Sequence, residues 1–275
     1  MSLTESGYPL AAAITPRLHL IETADSTNAS LLRDATDDPT GHPHLSVVMT
    51  RDQRAGRGRL DRSWTTPPGS AIAVSVLLDV GAVADVDRGW IPLVAGAAMA
   101  RAVDAQVGGG LTALKWPNDV LVDGRKISGI LAEVLPGDPS RVVVGAGVNT
   151  AMAATDLPVA TATSFAALDR TADEDRLMAD YLTGLRDDIA ALAVSGPDAV
   201  RERVESVCST LGTEVTVSLP DGTLLVGSVA DRLDPSGRLI VRTGGAEVVV
   251  AAGDVVHVRR RAETGTSEAS ATMEG

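Results

Sequence analysis

The sequence predicts a mixed α/β domain followed by a small β module, and three observations predict that division. From about residue 15 to residue 211, strand-like β-branched runs alternate irregularly with helical patterns. From residue 212 onward, short strand-like runs are separated by the turn sequences "PDG", "DPSG" and "GG". Apolar residues make up 44% of the chain and charged residues 22%, as in a globular protein with a substantial core.

The elements of the first domain follow from local patterns along the chain. A polar cap at Ser26 or Thr27 begins a helix in "STNASLLRDA". The β-branched runs "HLSVVMTRDQ" and "SAIAVSVLLDV" predict two buried strands. Residues 89–107 predict an apolar helix ended by Gly108–Gly110, and residues 173–194 predict an amphipathic helix. The apolar stripe of the second helix comprises Leu177, Met178, Tyr181, Leu182, Leu185, Ile189 and Leu192.

The second domain is predicted to be a small barrel over residues 212–261. Its strand-like runs are "TEVTVSL", "LLVGSVADRL", "LIVRTG" and "EVVVAAGDVVHVRR", each expected to form one strand. Residues 1–14 are expected to be a flexible arm, and residues 262–275, which are small and acidic, a disordered tail. These boundaries leave residues 15–211 as the larger domain.

Residues 111–134 contain both lysines of the chain, Lys115 and Lys126, whereas the whole chain has 22 arginines. "LTALKW" predicts a strand, "PND" a turn, "VLV" a strand, and "DG" a tight turn before "RKISGILAEV". Both lysines can then project from one edge of a sheet, and Gly129 marks a place of close approach. An exposed hairpin with two solvated lysines explains the same pattern equally well.

Residues 51–62 form a basic segment in an acidic protein. They hold five arginines and two aspartates, whereas the whole chain has a net charge of −12. Gly56 and Gly58 free the backbone to fold tightly or to move. Such a loop can hold an anion with Arg forks and backbone amides, and we expect it to be mobile without ligand. A plain basic surface loop, or one that binds nucleic acid, remains an alternative.

Other motifs exclude common nucleotide and metal sites. Gly145 and Gly147 follow a strand, but Thr150 stands where a dinucleotide fingerprint requires its third glycine. "DGRKIS" lacks the glycine spacing of a P-loop. The four histidines show no ligand spacing beyond His42-x-His44, so we expect no site built from His or Cys ligands.

Bulk properties narrow the class of protein. The negative charge argues against a DNA or RNA binder. One cysteine, Cys208, excludes an internal disulfide and predicts a reducing, cytoplasmic setting. No signal peptide is evident, and no window of 18 uninterrupted apolar residues predicts a membrane span.

Four motifs together resemble one family. "GRGRLDRSW", "KWPNDV", "GRKISGILAE" and "GAGVNT", in this order and preceded by "DSTN", strongly resemble biotin protein ligases over roughly residues 20–260. The resemblance implies an α+β fold. Its catalytic domain would be like that of class II aminoacyl-tRNA synthetases, a mixed sheet flanked by helices, with a small C-terminal SH3-like β-barrel.

The resemblance also implies the reaction. Biotin and ATP, with Mg²⁺, would form biotinyl-5′-AMP and pyrophosphate, and the biotinyl group would pass to one lysine on the biotin carboxyl carrier domain of an acyl-CoA carboxylase. The implied biotin-binding residues are Ser26, Thr27, Asn28, Gln53, Gly56, Arg57, Gly58, Arg59, Lys126 and Gly129. The implied ATP or adenylate contacts are Arg57, Arg59, Arg62, Trp64, Lys115, Asn118, Asp119, Lys126, Asn149 and Arg259. Lys126 and Arg59 would be catalytic, and Asn118 and Asp119 would hold Mg²⁺.

Two alternatives remain at this point: a lipoate or octanoyl protein ligase of the same fold, and a biotin-sensing regulator without turnover. Fewer than 25 residues precede "DSTN", too few for the winged helix that many relatives carry. We therefore expect a monofunctional ligase that binds neither DNA nor membranes, as a monomer or weak homodimer.

Overall fold

The computed structural model describes residues 7–59, 62–219, 221–251 and 254–257. Its larger sheet has seven strands in the order β1-β2-β5-β9-β8-β7-β6. These strands are β1 (Arg17–Leu20), β2 (Ser46–Thr50), β5 (Ala71–Asp79), β6 (Thr112–Lys115), β7 (Asp119–Val122), β8 (Arg125–Leu135) and β9 (Asp138–Asn149). A separate two-stranded ribbon consists of β3 (Gly56–Arg57) and β4 (Ser63–Trp64). Only the β1–β2 pair within the larger sheet is parallel, so the sheet is mixed.

Helices cover the two faces of this sheet unequally. The helices are α1 (Pro9–Ala12), α2 (Thr27–Asp37), α3 (Ile91–Val107), α4 (Glu174–Ser195) and α5 (Asp198–Glu205). The buried stripe of α4 packs with the apolar α3 in the main core, as its spacing predicts. A smaller cluster forms between α2 and the sheet, from Leu31, Ala35, Val48, Leu77, Leu135 and Val143. Because α2 is only 11 residues long, it leaves uncovered a part of the sheet face on which it packs.

The C-terminal part is a five-stranded antiparallel sheet in the order β13-β12-β11-β10-β14. Its strands are β10 (Glu214–Ser218), β11 (Leu224–Leu233), β12 (Leu239–Thr243), β13 (Ala246–Val250) and β14 (Asp254–His257). The expectation of one strand in "EVVVAAGDVVHVRR" was wrong, since that segment forms β13 and β14. These two strands lie at opposite ends of the strand order, yet only three residues separate them in the chain. The sheet must therefore curve until its two edges lie close together, as in the predicted barrel.

One turn of the C-terminal sheet attaches it to the first domain. Two buried tryptophans donate their indole N–H groups to carbonyls in this turn: Trp90 to Pro235 at 2.8 Å and Trp116 to Gly237 at 3.2 Å. The guanidinium of Arg201 lies 4.9 Å from the Trp90 ring centroid. The two domains are therefore joined by packed aromatic and hydrogen-bonded contacts. Among the described residues, no helix combines the length and apolar character that crossing a membrane requires.

Candidate functional site

A pocket occupies the part of the sheet that α2 leaves open, beneath the β3–β4 ribbon. It is lined by Ser26, Thr27, Asn28, Gln53, Arg57, Gly58, Arg59, Arg62, Ser63, Trp64, Asn118, Asp119, Lys126, Gly129, Ile130, Leu131, Gly145, Ala146 and Gly147. Strand β8 crosses this region, with Lys126 near its start and Leu131 near its middle. The basic segment and the lysine-bearing hairpin, which are distant in sequence, therefore meet at one cavity.

Glycines on neighbouring strands form the floor of the pocket. Gly129 on β8 is paired in register with Gly147 on β9, and Leu131 with Gly145. A Cβ at Gly147 would lie 2.5 Å from the Trp64 ring, and one at Gly145 would overlap the Asn28 amide. A Cβ at Gly129 would lie 3.1 Å from Lys126 Nζ. The "GAG" sequence thus supplies a bare strand surface on which side chains and a ligand can lie.

At one end of the pocket, Ser26, Thr27 and Gln53 present polar, uncharged groups. Ser26 caps α2 by accepting from the Ala29 N–H at 3.4 Å, which confirms the predicted helix start. Gln53 Oε1 accepts from the Thr27 backbone N–H at 2.8 Å and from its hydroxyl at 3.1 Å. This fixes the Gln53 amide, whose nitrogen lies against Gly56 and remains able to donate to a ligand. Such groups suit a neutral polar ring.

Asn28 is engaged mainly by the protein itself. Its Oδ1 accepts from Ser75 Oγ at 2.6 Å, and its Nδ2 donates to the Leu131 carbonyl at 3.2 Å and to Glu133 Oε2 at 2.7 Å. Both amide donors are used by these bonds. The structure therefore places Asn28 at the pocket wall as a bracket between α2 and strands β5 and β8.

The other end of the pocket is strongly charged. Lys126 Nζ lies 2.6 Å from Asp119 Oδ1. Lys115 is paired with Asp119 in the β6–β7 register, and burial lowers its pKa while the Asp119 carboxylate opposes that shift. Lys126 also lowers the Lys115 pKa, so the two ammonium groups are close enough to interact. The hairpin thus concentrates both lysines around one carboxylate, and the fully solvated alternative does not hold for half-buried Lys115.

Arg59 joins this charged end from the basic segment. Its NH1 donates to Asn118 Oδ1 at 3.2 Å, while Asn118 Nδ2 donates to the Ile130 carbonyl at 2.9 Å. Burial lowers the pKa of Arg59, although the nearby Asp119 carboxylate opposes the shift. A partly desolvated cation of this kind interacts strongly with an anion that enters the site.

Several residues singled out from the sequence do not line the pocket. Lys115 lies opposite Asp119 on the neighbouring strand β6, outside the pocket lining. Asn149, at the end of β9, donates to the Thr163 carbonyl at 2.9 Å. Gly56 abuts Gln53 and the Trp64 carbonyl without lining the cavity. Arg259, and residues 60–61 of the basic loop, lie outside the described residues.

Sequence reasoning missed other contributors: Ser63, Ser75, Ile130, Leu131, Glu133, Gly145, Ala146 and Gly147. The "GAG" glycines carried a signal, because alternate glycines in a strand leave one face bare. Ser75 and Glu133 carried none, since their partners are far away in the chain. Within the part of the chain that the structure describes, no group of three or more His, Cys, Asp or Glu side chains forms a metal cluster.

Comparison with known proteins places this fold and pocket in a class. The Biotin/lipoate A/B protein ligase family model matches residues 20–149, and the Biotin protein ligase C terminal domain model matches residues 210–258. Together the two matches define the class of the protein as a ligase for biotin or lipoate.

Individual relatives make the assignment narrower. A protein of Mycobacterium tuberculosis named biotin--[acetyl-CoA-carboxylase] ligase is 38% identical over 249 residues, 88% of this chain and 90% of that protein. The chain belongs to the biotin protein ligase family. Among solved structures, biotin protein ligase from Aquifex aeolicus in complex with biotin and ATP superposes with a TM-score of 0.73 at 21% identity, covering 89% of this chain and all of that one. The Leishmania major biotin protein ligase in complex with biotinyl-5-AMP gives a TM-score of 0.58 at 24% identity, covering 89% of this chain and 99% of that one. These likenesses confirm the predicted fold class.

Proposed function

We propose that this chain catalyses ATP-dependent biotinylation of one lysine on the biotin carrier domain of an acyl-CoA carboxylase, through biotinyl-5′-AMP with release of pyrophosphate. The observation that carries the proposal is the polarity of the pocket. A neutral hydrogen-bonding end built by α2 and Gln53 is joined across a glycine floor to a cationic end built by Lys126 and Arg59. Family membership and the named Mycobacterium relative support it.

The two ends suit the two halves of biotin. The ureido ring is neutral and polar, so it fits the end where Ser26, Thr27 and Gln53 present hydroxyl and amide groups. The valerate carboxylate would then extend along the floor toward Lys126. There it must attack the α-phosphate of ATP, and cations held at that junction offset the repulsion between two anions. We assign Lys126 to this junction, because a slim ammonium can contact both anions at once.

Magnesium belongs to the proposal as the counterion of the ATP phosphates. Asp119 has one carboxylate oxygen paired with Lys126 and a second that can bind a cation, and Asn118 offers an amide oxygen shared with Arg59. Hard oxygen ligands fit Mg²⁺, which retains waters and binds substrate phosphates. Asp119, with Asn118 beside it, would therefore hold the ion, which would neutralise phosphate charge when bound.

The experiment that tests the function is transfer of label to a carrier domain. The purified chain is incubated with an acyl-CoA carboxylase carrier domain, ATP, Mg²⁺ and labelled biotin or labelled lipoate. We expect label on the carrier from biotin only, and none when the acceptor lysine of the carrier is replaced. Label from lipoate alone would assign the lipoate ligase alternative. Tight biotin binding without label transfer would assign the regulator.

Retention of the adenylate provides a second test. In Arg59→Gly we expect biotinyl-5′-AMP to be released into solution at least about tenfold faster, while biotin affinity changes less, because Arg59 lies at the charged end. Enclosure of the adenylate matters since water hydrolyses an acyl-adenylate that is exposed. Thin-layer or mass-spectrometric measurement of free biotinyl-5′-AMP checks this. A variant that releases no more than the parent contradicts the role of Arg59.

The glycine floor provides a third test. In Gly147→Ala the added methyl group would lie 2.5 Å from the Trp64 ring, so this ring, which lines the pocket, must shift. We expect biotin affinity to fall about tenfold, the lower part of the usual cost of overpacking. The matched control is Gly81→Ala, where the new Cβ meets its nearest atom at 3.4 Å outside the pocket. Equal affinity of the two variants by titration calorimetry would show that biotin does not lie on this floor.

The cellular location and the oligomeric state of the enzyme are predictions. The free Cys208 thiol is buried, and burial raises its pKa, which suits a thiol that stays reduced and unreactive. We propose a cytoplasmic enzyme, and a monomer or weak homodimer, with the carboxylase carrier domain as its protein substrate.

A further inference from the structure

Glu133 lies near the pocket but outside its lining, at the end remote from Lys126. It follows Leu131 by two residues on β8, so both side chains lie on the same face of the strand. Its side chain is 22% exposed. The activity proposed above leaves this carboxylate without a role, although it contacts two residues of the pocket wall.

Both carboxylate oxygens of Glu133 are used, and each binds a different element. Oε1 accepts from Arg57 NH2 at 2.8 Å, and Oε2 accepts from Asn28 Nδ2 at 2.7 Å. Arg57 belongs to the β3–β4 ribbon and Asn28 to α2. Glu133 therefore fastens the ribbon to the helix start that builds the neutral end of the pocket.

The two arginines of the "GRGR" sequence consequently go to opposite ends of the pocket. Arg57 pairs with Glu133 near α2, whereas Arg59 bonds Asn118 beside the charged hairpin. Gly58 stands between them, and its N–H donates to the Arg62 carbonyl at 2.6 Å. One side of the loop is thus tied to the protein by an ion pair, and the other side is aimed at the site of the phosphates.

We propose that Glu133 is a positioning residue that anchors Arg57, so that strand β3 stays fixed over the neutral end of the pocket. The inference rests on the proposed function. Arg57 then holds the ribbon in place, and Arg59 supplies the contact with the adenylate. Loss of the anchor frees the whole ribbon and lets the adenylate escape, but it leaves Lys126 and the junction of the two anions intact.

The test is a cycle of Glu133→Gln, Arg57→Gln and the double variant. Glutamine keeps an oxygen for Asn28 and removes the charge that holds Arg57. We expect each single variant to release biotinyl-5′-AMP about fivefold faster, the usual worth of a partly exposed charge-assisted pair, and the double variant to release it no faster than either. In Glu133→Gln the single-turnover rate of adenylate formation at saturating biotin and ATP should change less than about twofold, since Glu133 lies outside the pocket lining and the Lys126 contacts remain.

The control is Arg54→Gln, which breaks the exposed ion pair with Asp52 in the same segment and should leave release unchanged. Unchanged release in Glu133→Gln, additive effects in the double variant, or an equal loss in the chemical step would each overturn the anchor. Should Glu133→Gln fail to fold, Arg57→Gln carries the test, because that substitution leaves the hydrogen bond between Asn28 and Glu133 in place. Failure of the parent enzyme to form any biotinyl-5′-AMP would instead contradict the proposed function.

Discussion

Lys126→Ala is expected to slow the single-turnover formation of biotinyl-5′-AMP by about 100-fold to 1,000-fold, because it removes a cation from the place where two anions must meet. The loss is larger than for an ordinary surface charge, since Lys126 lines the pocket beside Asp119, at the junction where the two anions must meet. Alanine also leaves the Asp119 carboxylate without its partner, which adds repulsion toward the incoming phosphates. Quench-flow measurement of adenylate at saturating biotin and ATP gives the rate directly.

Lys126→Arg separates charge from shape. It retains the positive charge but replaces the ammonium with a planar fork that demands its own pair of oxygens, so we expect a loss of about tenfold or more. The control is Arg33→Ala, which deletes an exposed cation on α2 far from the hairpin. Its single-turnover rate of adenylate formation should equal that of the parent. A single-turnover rate like that of the parent in Lys126→Ala would remove this residue from the mechanism.

Local chemistry made much of the fold predictable. The "DG" turn between β7 and β8 was predicted from its sequence, and Asp123 and Gly124 do adopt φ values of 48° and 69°, as such a turn requires. The α4 stripe and the cap at Ser26 could be predicted equally well, since both depend on residues within a few positions of each other. The break between β13 and β14 could not be predicted, because it depends on which strand each of the two pairs with in the folded sheet.

The residues of the site also divide into those that the sequence could predict and those that it could not. Motif residues such as Lys126 and Arg59 could be named from the sequence because a recognisable pattern carries them. Glu133 could not, because its meaning depends on Asn28, 105 residues away, and on Arg57, 76 residues away. Its register on β8 relative to α2 decides whether it faces a partner or solvent, and only the assembled sheet fixes that register.

Trp90→Ala is expected to lower the free energy of unfolding by about 3 to 5 kcal/mol, the usual cost of emptying a fully buried tryptophan site. Trp90 is completely buried, donates to the Pro235 carbonyl and carries the Arg201 guanidinium on its ring, so its removal also loosens the turn that attaches the C-terminal sheet.

Trp90→Phe should lower the free energy of unfolding by only about 1 to 2 kcal/mol, because it keeps an aromatic ring and loses the hydrogen bond. Val194→Ala, at a site 85% exposed on α4, should change stability by less than about 0.5 kcal/mol. Urea unfolding followed by circular dichroism measures all three. A loss below 1 kcal/mol in Trp90→Ala, about the effect of an ordinary substitution, would mean that this turn does not hold the two domains together.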